Sequence, residues 1–372
     1  MMMNGTVLRT RDLSIGYRRA RKAPVVIAGD LNFSLRPGEL VCLLGPNGAG
    51  KSTLMRTLAR LQPSLSGQIW LDERPLDDLR PGQLARRLSI VLTDRVDVGA
   101  MSGYGLVSLG RHPYTGWTGT MSEQDQQIVQ WALHAVRAND LSDRLTVEMS
   151  DGERQKVLIA RALAQQPRVM LLDEPTAFLD LPRRVEVMDL LRQLASENSQ
   201  AILLSTHDLD LALRNADRLW LLSADGELFD GAPEDLILNG AFERVFSAEG
   251  VTFDRERGSF HTRQEACGRL RLEGDGVAAF WTRRALERIG YAVEREGENG
   301  ASSSYPSNLN PPQSVNGAVT VRKQDGGLIY MLDIEGREEL FATLNALTTY
   351  LRRGGAGGES DAKVDEDLHA RR

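Results

Sequence analysis

Residues 45–53 read Gly45-Pro46-Asn47-Gly48-Ala49-Gly50-Lys51-Ser52-Thr53 and match the pattern G-x-x-x-x-G-K-[ST]. The apolar run Leu40–Leu44 before them predicts a buried strand, and the residues after them predict a helix from Ser52 to Arg60. A glycine loop between a strand and a helix directs backbone N–H groups at a phosphate, which the helix N-terminus also attracts. The stretch therefore predicts a phosphate-binding loop in which Lys51 reaches the β- and γ-phosphates and Ser52 binds Mg²⁺.

A second apolar run, Val169–Leu172, ends in the carboxylates Asp173 and Glu174. It predicts a parallel strand buried on both faces, and such strands place ligands at their carboxyl ends. We expect Asp173 to hold Mg²⁺ and Glu174 to orient or deprotonate an attacking water. Alone, these acids would be interpreted as a solvated strand end, but the complete phosphate loop favours an active site.

Two other side chains have two interpretations each. Tyr17 ends a predicted strand and is either a platform for a nucleotide base or an ordinary strand-end tyrosine. His207 follows the predicted strand Ala201–Ser205 and either contacts a γ-phosphate or is a capping or core histidine. The basic cluster Arg18–Lys22 is interpreted as a solvated loop.

Composition limits the class of protein. A chain of 372 residues predicts one large domain and a smaller one, and 41% hydrophobic residues suffice for a sizeable core. The net charge of −6 gives no basic field for nucleic acid. No apolar run approaches the roughly 18–20 residues of a membrane span, and the N-terminus has no apolar signal region. Since Cys42 lies in a predicted core strand, disulfides are not expected, and the composition predicts a soluble, cytosolic chain.

Helical signals interrupt the α/β pattern. The segment Val107–Ala138 has helical spacing, with a break at Arg111–Trp117 and a new start at the N-cap Ser122. Ser150 and Glu153 match a capping box at the start of a further helix. These signals predict a helical subdomain of about residues 95–165 inside an ATPase domain of residues 1–260.

The pattern changes after about residue 250. Residues 265–353 predict a small α+β domain with no visible catalytic constellation. Its helix Gly276–Ile289 is expected to bury Val277 and Phe280, and Glu338–Leu351 is expected to be a final amphipathic helix. Residues 294–317 are expected to form a mobile loop, and residues 354–372 a disordered tail.

The ordered motifs of residues 6–260 resemble those of the ATP-binding subunit of ABC transporters. The resemblance makes residues 45–53 its Walker A motif and Val169–Glu174 its Walker B motif with the catalytic glutamate. It makes Tyr17 the adenine-stacking aromatic, Leu179-Asp180 the D-loop and His207 the switch histidine. It implies an α/β P-loop ABC ATPase domain with a helical subdomain that uses ATP and Mg²⁺.

Met149-Ser150-Asp151-Gly152-Glu153 stands at the signature position, which the family usually reads Leu-Ser-Gly-Gly-Gln. In the family two subunits pair head to tail, so Ser150 and Gly152 of one copy would close over the ATP of a second copy. Asp151 replaces a glycine and Glu153 a glutamine, and both place carboxylates near a triphosphate. Thr93 stands where the family usually has the glutamine that contacts Mg²⁺ and water.

A narrower resemblance rests on Leu109–Tyr114 and Met149–Ala164, which look like ATPases of bacterial importers for iron-siderophores, haem and cobalamin. It implies an integral-membrane permease, an extracytoplasmic substrate-binding protein and a peripheral position on the cytoplasmic face of the cell membrane. The loop Gly110–Tyr114 either contacts the permease or is held against its own subdomain.

Three alternatives stay open: a soluble ABC ATPase acting on nucleic acid or ribosomes, a regulatory ATPase of low activity, and an exporter subunit. The negative charge disfavours the first, so no nucleic-acid partner is expected. Thr93, Asp151 and the extra domain suggest the second. The direction of transport is not encoded in the ATPase motifs.

Overall fold

The computed structural model describes residues 5–19, 22–92, 99–116, 119–246, 251–255, 257–262, 266–295, 316–324, 327–334 and 336–353. The chain divides between His261 and Thr262 into two compact units. The predicted mobile loop lies almost entirely outside the described residues, as does the predicted tail. Among the helices described, none combines the length and the apolar character that crossing a bilayer requires.

The first unit alternates strands and helices. Its strands are β1 (Leu8–Arg19), β2 (Lys22–Leu31), β3 (Ser34–Leu35), β4 (Leu40–Leu44), β5 (Ser66–Leu71), β6 (Arg74–Pro75), β7 (Leu88–Val91), β8 (Val169–Asp173), β9 (Ala201–Ser205), β10 (Arg218–Leu222), β11 (Leu228–Gly231), β12 (Val251–Asp254) and β13 (Ser259–Thr262), which ends at the division. Its helices are α1 (Lys51–Leu58), α2 (Pro81–Ala85), α3 (Gly103–Ser108), α4 (Glu123–Ala135), α5 (Asp151–Ala164), α6 (Leu181–Asn198), α7 (Leu209–Asn215), α8 (Pro233–Leu238) and α9 (Ala241–Val245).

The larger sheet has the strand order β11-β10-β4-β9-β8-β7. Neighbours from β10 to β7 are parallel, and β11 pairs antiparallel at the edge. In β4, Leu40, Cys42 and Leu44 pack into one core, while Val41 and Leu43 pack into the core on the opposite face. Burial on both faces is the reason that β4 and β8 are continuous apolar runs, and it confirms the predicted α/β fold.

A smaller sheet, ordered β2-β1-β5-β6 with β3 also paired to β1, packs over the second of these cores. Arg19 pairs with Lys22 in the antiparallel ladder of β1 and β2. The prediction of a loop is therefore wrong for Arg18, Arg19 and Lys22, because the ladder continues to the end of the hairpin. Their side chains are exposed, as expected for a solvated cluster.

The predicted helical subdomain contains α3, α4 and α5, which pack around Val107, Val129 and Leu163. Two of these helices begin with capping boxes, where the sequence predicted an N-cap at Ser122 and a capping box at Ser150. In α4, Ser122 exchanges hydrogen bonds with Asp125, and in α5, Ser150 does so with Glu153. The caps fix where α5 begins, which places the half-buried Ser150 at its N-terminus.

The second unit is a sheet ordered β15-β14-β16-β17-β18 with two helices. Its elements are β14 (Gly268–Glu273), α10 (Gly276–Arg288), β15 (Tyr291–Arg295), β16 (Asn316–Gln324), β17 (Gly327–Ile334), β18 (Arg337–Phe341) and α11 (Leu344–Arg352). The strand β14 pairs in parallel with β15 and β16, whereas β16 with β17 and β17 with β18 pair antiparallel. The unit is thus α+β, as predicted.

Two predictions for this unit are wrong. Val277 and Phe280 are 75% and 51% exposed, because α10 turns the smaller side chains of Ala279 and Thr282 to the core together with Leu286. The first part of the predicted final helix is the strand β18, because its backbone pairs with β17. The helix α11 begins after Thr343, whose side chain accepts a hydrogen bond from the Ala346 N–H.

Candidate active site

The phosphate loop connects β4 to α1 at the carboxyl edge of the larger sheet. Gly50 has φ 104°, and a Cβ atom there would lie 2.4 Å from Cγ2 of Ile27. A Cβ atom at Gly45 would lie 2.3 Å from the carbonyl oxygen of Leu222. These glycines are required because the loop passes close to its neighbours and because φ at Gly50 is positive. Within the loop, Ala49 is buried, whereas Asn47 and Gly48 are exposed.

Lys51 is the first residue of α1 and is 6% exposed. Its Nζ donates hydrogen bonds to the carbonyl oxygens of Gly45 at 2.8 Å and Pro46 at 3.2 Å. Burial lowers the pKa of the Lys51 ammonium, and the carboxylates of Glu174 and Asp173 oppose this shift. The lysine therefore curls back over the loop, where the same donors can reach phosphate oxygens.

Asp173 is 4% exposed and accepts hydrogen bonds from two hydroxyl groups. Ser205 Oγ donates to Asp173 Oδ1 at 2.7 Å, and Ser52 Oγ donates to the same oxygen at 3.3 Å. Ser205 Oγ also accepts a hydrogen bond from the Glu174 N–H at 3.0 Å. The phosphate loop and the end of β8 are thus one hydrogen-bonded unit, with a hydroxyl and a carboxylate of the kind that Mg²⁺ prefers.

Glu174 and His207 meet at the open side of this unit. His207 Nε2 lies 2.5 Å from Glu174 Oε1, and the two side chains are 48% and 27% exposed. Glu174 has φ 52°, an uncommon backbone conformation for a residue with a side chain. This conformation ends β8 abruptly and directs the carboxylate toward the histidine instead of continuing the strand.

Tyr17 lies at the edge of the loop. Its hydroxyl is 3.1 Å from Thr53 Oγ1, and the residue is 49% exposed. A half-exposed ring joined to the phosphate loop has the surface available that stacking on a base requires. The structure therefore brings Tyr17 to the site, where its contact with a base stays a prediction.

Ser150 and Gly152 have their contacts elsewhere. Ser150 Oγ donates to Glu153 Oε2 at 2.8 Å and accepts a hydrogen bond from Arg183 Nη1 at 2.9 Å. Among the described residues, no hydrogen bond joins Ser150 to the phosphate loop of the same chain. Arg154 donates to the Thr146 carbonyl oxygen at 2.9 Å. Thr93 lies outside the described residues.

The loop Gly110–Tyr114 is held from within the subdomain. Arg111 is 3% exposed, donates to Asp125 at 2.8 Å and to the Ala164 carbonyl oxygen at 2.7 Å, and stacks on the ring of Tyr114. The hydroxyl of Tyr114 donates to the Gln165 carbonyl oxygen at 3.0 Å. These contacts agree with the interpretation of a loop held against its own subdomain, although His112 in the same loop is exposed.

Sequence reasoning missed two residues of this region, Ser205 and Arg183. Ser205 was identifiable in principle, because it ends a parallel strand beside Asp173 in the register of the sheet. Arg183 had no such signal. It approaches Ser150 only through a side chain that reaches from α6 to the start of α5.

A P-loop with a buried lysine, a hydroxyl–carboxylate pair and a glutamate–histidine pair defines the class of nucleoside-triphosphate hydrolases. A family model for ABC transporters matches residues 28–177, and a model for the iron ABC transporter C-terminal domain matches residues 267–352. The chain belongs to the ABC ATPase family of transporter ATP-binding subunits, and it hydrolyses ATP.

The chain is 40% identical over 257 residues to an uncharacterized ABC transporter ATP-binding protein of Methanocaldococcus jannaschii, covering 69% of this chain and 87% of that protein. It is 33% identical over 250 residues to the iron(3+)-hydroxamate import ATP-binding protein of Bacillus subtilis, covering 67% and 91%. The solved structure of cbiO1 from Clostridium perfringens, part of the ABC transporter complex cbiONQ, matches with a TM-score of 0.56, 28% identity and coverage of 64% and 93%.

Proposed function

We propose that this ATPase energises an ABC importer whose substrate is of the iron-siderophore, haem or cobalamin type. One observation carries the proposal: the chain joins an ATP site to a C-terminal segment that matches the iron ABC transporter model. The similarity to an iron(3+)-hydroxamate import protein over nearly its whole length supports the same substrate class. On this proposal residues 1–260 form the ATPase domain and residues 265–353 the accessory domain.

The phosphate-loop residues bind the nucleotide. Backbone N–H groups of Gly45–Thr53 would hold the phosphates, Lys51 would exchange its carbonyl partners for β- and γ-phosphate oxygens, and Tyr17 would stack on the adenine. Ser52 and Asp173 would hold Mg²⁺, which neutralises charge on the phosphate oxygens. Thr93 would assist through its hydroxyl.

Glu174 and His207 act on the attacking water. The Glu174 carboxylate would accept a hydrogen bond from that water and align it with the γ-phosphorus, and His207 Nε2 would contact the γ-phosphate from the side. Their 2.5 Å contact restricts the orientation of both groups before ATP binds. Positioning and electrostatics thus account for most of the lowering of the barrier.

A second copy would complete the site. The half-buried Ser150 and the buried Gly152 lie at the N-terminus of α5, where backbone N–H groups favour an anion. Two copies would close around two ATP molecules, and hydrolysis would separate them and drive an integral-membrane permease. The working position would be peripheral, on the cytoplasmic face of the membrane, with an extracytoplasmic substrate-binding protein as a further partner.

Purification of the tagged full-length chain from its own membranes, followed by mass spectrometry, tests this proposal. A polytopic permease recovered at stoichiometric yield is the expected result. ATP hydrolysis by that complex should rise when a binding protein loaded with a ferric siderophore, haem or cobalamin is added. Recovery of ribosomal proteins, or of no membrane protein, would contradict the importer.

A further inference from the structure

We infer that Arg183 is a positioning residue of the ATP site. Its guanidinium offsets the carboxylates of the signature segment, Met149–Glu153, at the place where this segment meets the γ-phosphate held by a second copy. The inference rests on the proposed function, since it requires the head-to-tail pairing of two copies. It adds a residue outside every motif of the sequence.

Arg183 lies in the first turn of α6 and reaches across to α5. Its Nη1 donates to Ser150 Oγ at 2.9 Å. A Cβ atom added to Gly152 would lie 2.8 Å from Arg183 Cδ and 2.9 Å from its Nη1. The guanidinium therefore covers Gly152 and contacts the serine that is expected to approach the phosphate.

The signature segment carries carboxylates, so a phosphate can approach it only where a cation offsets their charge. Hydrogen bonds from the Ser150 N–H and hydroxyl lower the pKa of Glu153, so this carboxylate is ionised at neutral pH. Arg144 pairs with Glu153 Oε1 at 2.8 Å and also donates to the Glu148 carbonyl oxygen at 3.0 Å. A triphosphate would meet the charges of Glu153 and Asp151 at close range, and the guanidinium on Ser150, which also lies 3.8 Å from Asp180 Oδ2, offsets part of this negative charge.

The surroundings of Arg183 fit an interface with a second copy. Its side chain is 44% exposed. Phe178, Leu181 and Val185, before and after it in the chain, are 69%, 71% and 53% exposed. Large apolar side chains grouped on a surface mark an interaction site. When a second copy covers them, Arg183 loses water, and its attraction to a phosphate strengthens.

The test uses the full chain carrying Glu174→Gln, to stop hydrolysis, and measures ATP-dependent dimerisation by sedimentation velocity. Arg183→Ala should weaken the ATP dimer about tenfold or more, since a hydrogen bond to a charged group is lost. The matched control is Arg192→Ala in the same helix, whose guanidinium donates to the Asn215 carbonyl oxygen. Arg192→Ala should leave dimerisation unchanged.

A compensating variant separates charge from structure. Adding Glu153→Gln to Arg183→Ala should restore part of the lost dimer affinity, while thermal unfolding and ATP binding by each chain stay the same. Unchanged dimerisation of Arg183→Ala would overturn the inference, as would a double variant as weak as the single one. If the parent chain binds ATP but never dimerises, the head-to-tail function itself fails, which is a distinct outcome.

Discussion

The phosphate-loop half of the site and its signature half balance their charges in different ways. In the first half, the carboxylates of Asp173 and Glu174 lie among partners on the neighbouring strand and loop, such as Ser205 and His207. In the second half, the carboxylate of Glu153 is paired with Arg144, and Ser150 is bonded to Arg183, both from outside the motif. A local motif therefore describes the first half well, whereas the second half depends on side chains that reach it from other segments.

The largest effect on the phosphate-loop half of the site is expected from Glu174→Gln. Hydrolysis should fall by about 10²–10⁴-fold, because the base that aligns the water is lost. ATP affinity should remain, since the amide leaves the phosphate loop intact. Phosphate release and titration calorimetry measure the two quantities. The control is Glu197→Gln near the carboxyl end of α6, which should leave hydrolysis unchanged. Normal turnover by Glu174→Gln would refute the role of Glu174.

Arg111→Ala should destabilise the helical subdomain that carries the signature segment. Arg111 joins Asp125 to the carboxyl end of α5, and removing it leaves a buried carboxylate unpaired. The free energy of unfolding should fall by about 3–5 kcal/mol. Urea denaturation measures it. Arg214→Ala removes an exposed ion pair with Asp210 and should cost less than about 1 kcal/mol. Equal losses of unfolding free energy in the two variants would show that Arg111 does not stabilise the subdomain.

Lys51→Ala tests the nucleotide contact of the first half. ATP affinity should fall about tenfold or more, because a charge-assisted hydrogen bond to phosphate is lost. Calorimetry with Mg-ATP gives the affinity directly. Lys156→Ala, which removes a 3.1 Å ion pair with Glu186, is the control for loss of a lysine. Unchanged affinity in Lys51→Ala would contradict the phosphate loop.

The smallest expected effect is a pH dependence in the helical subdomain. The hydrogen bond from Ser122, aided by the Arg111 guanidinium, lowers the pKa of Asp125 below its unfolded value of about 3.9. Its contribution to stability is therefore present above about pH 4 and is lost as the pH falls through the folded pKa. The difference in unfolding free energy between the wild type and Asp125→Asn should shrink on acidification. A difference independent of pH would exclude this pair as the cause.

The parts of the fold and site that sequence predicted share one property: their signals are local. The glycine loop, the N-cap Ser122, the capping box of Ser150, and the buried run Leu40–Leu44 each depend on residues within a few positions. Lys51, Ser52, Asp173, Glu174 and His207 follow such elements, so the parallel sheet brings them to one edge.

What sequence missed depends on contacts between elements rather than on the pattern within one element. The strand Arg337–Phe341 has helical spacing, but its backbone is satisfied by β17. In α10, Phe280 was expected inside, yet Ala279 and Thr282 face the core and leave it exposed. Arg183 reaches Ser150 from 33 positions away, and only the tertiary structure sets that contact.

Sedimentation velocity of the full-length Glu174→Gln chain tests most directly whether the two halves meet across two copies. With Mg-ATP the chain should sediment as a dimer, and with Mg-ADP as a monomer, because only the γ-phosphate joins one phosphate loop to the other signature segment. Addition of Lys51→Ala should abolish the dimer. A monomer at saturating ATP would contradict the account.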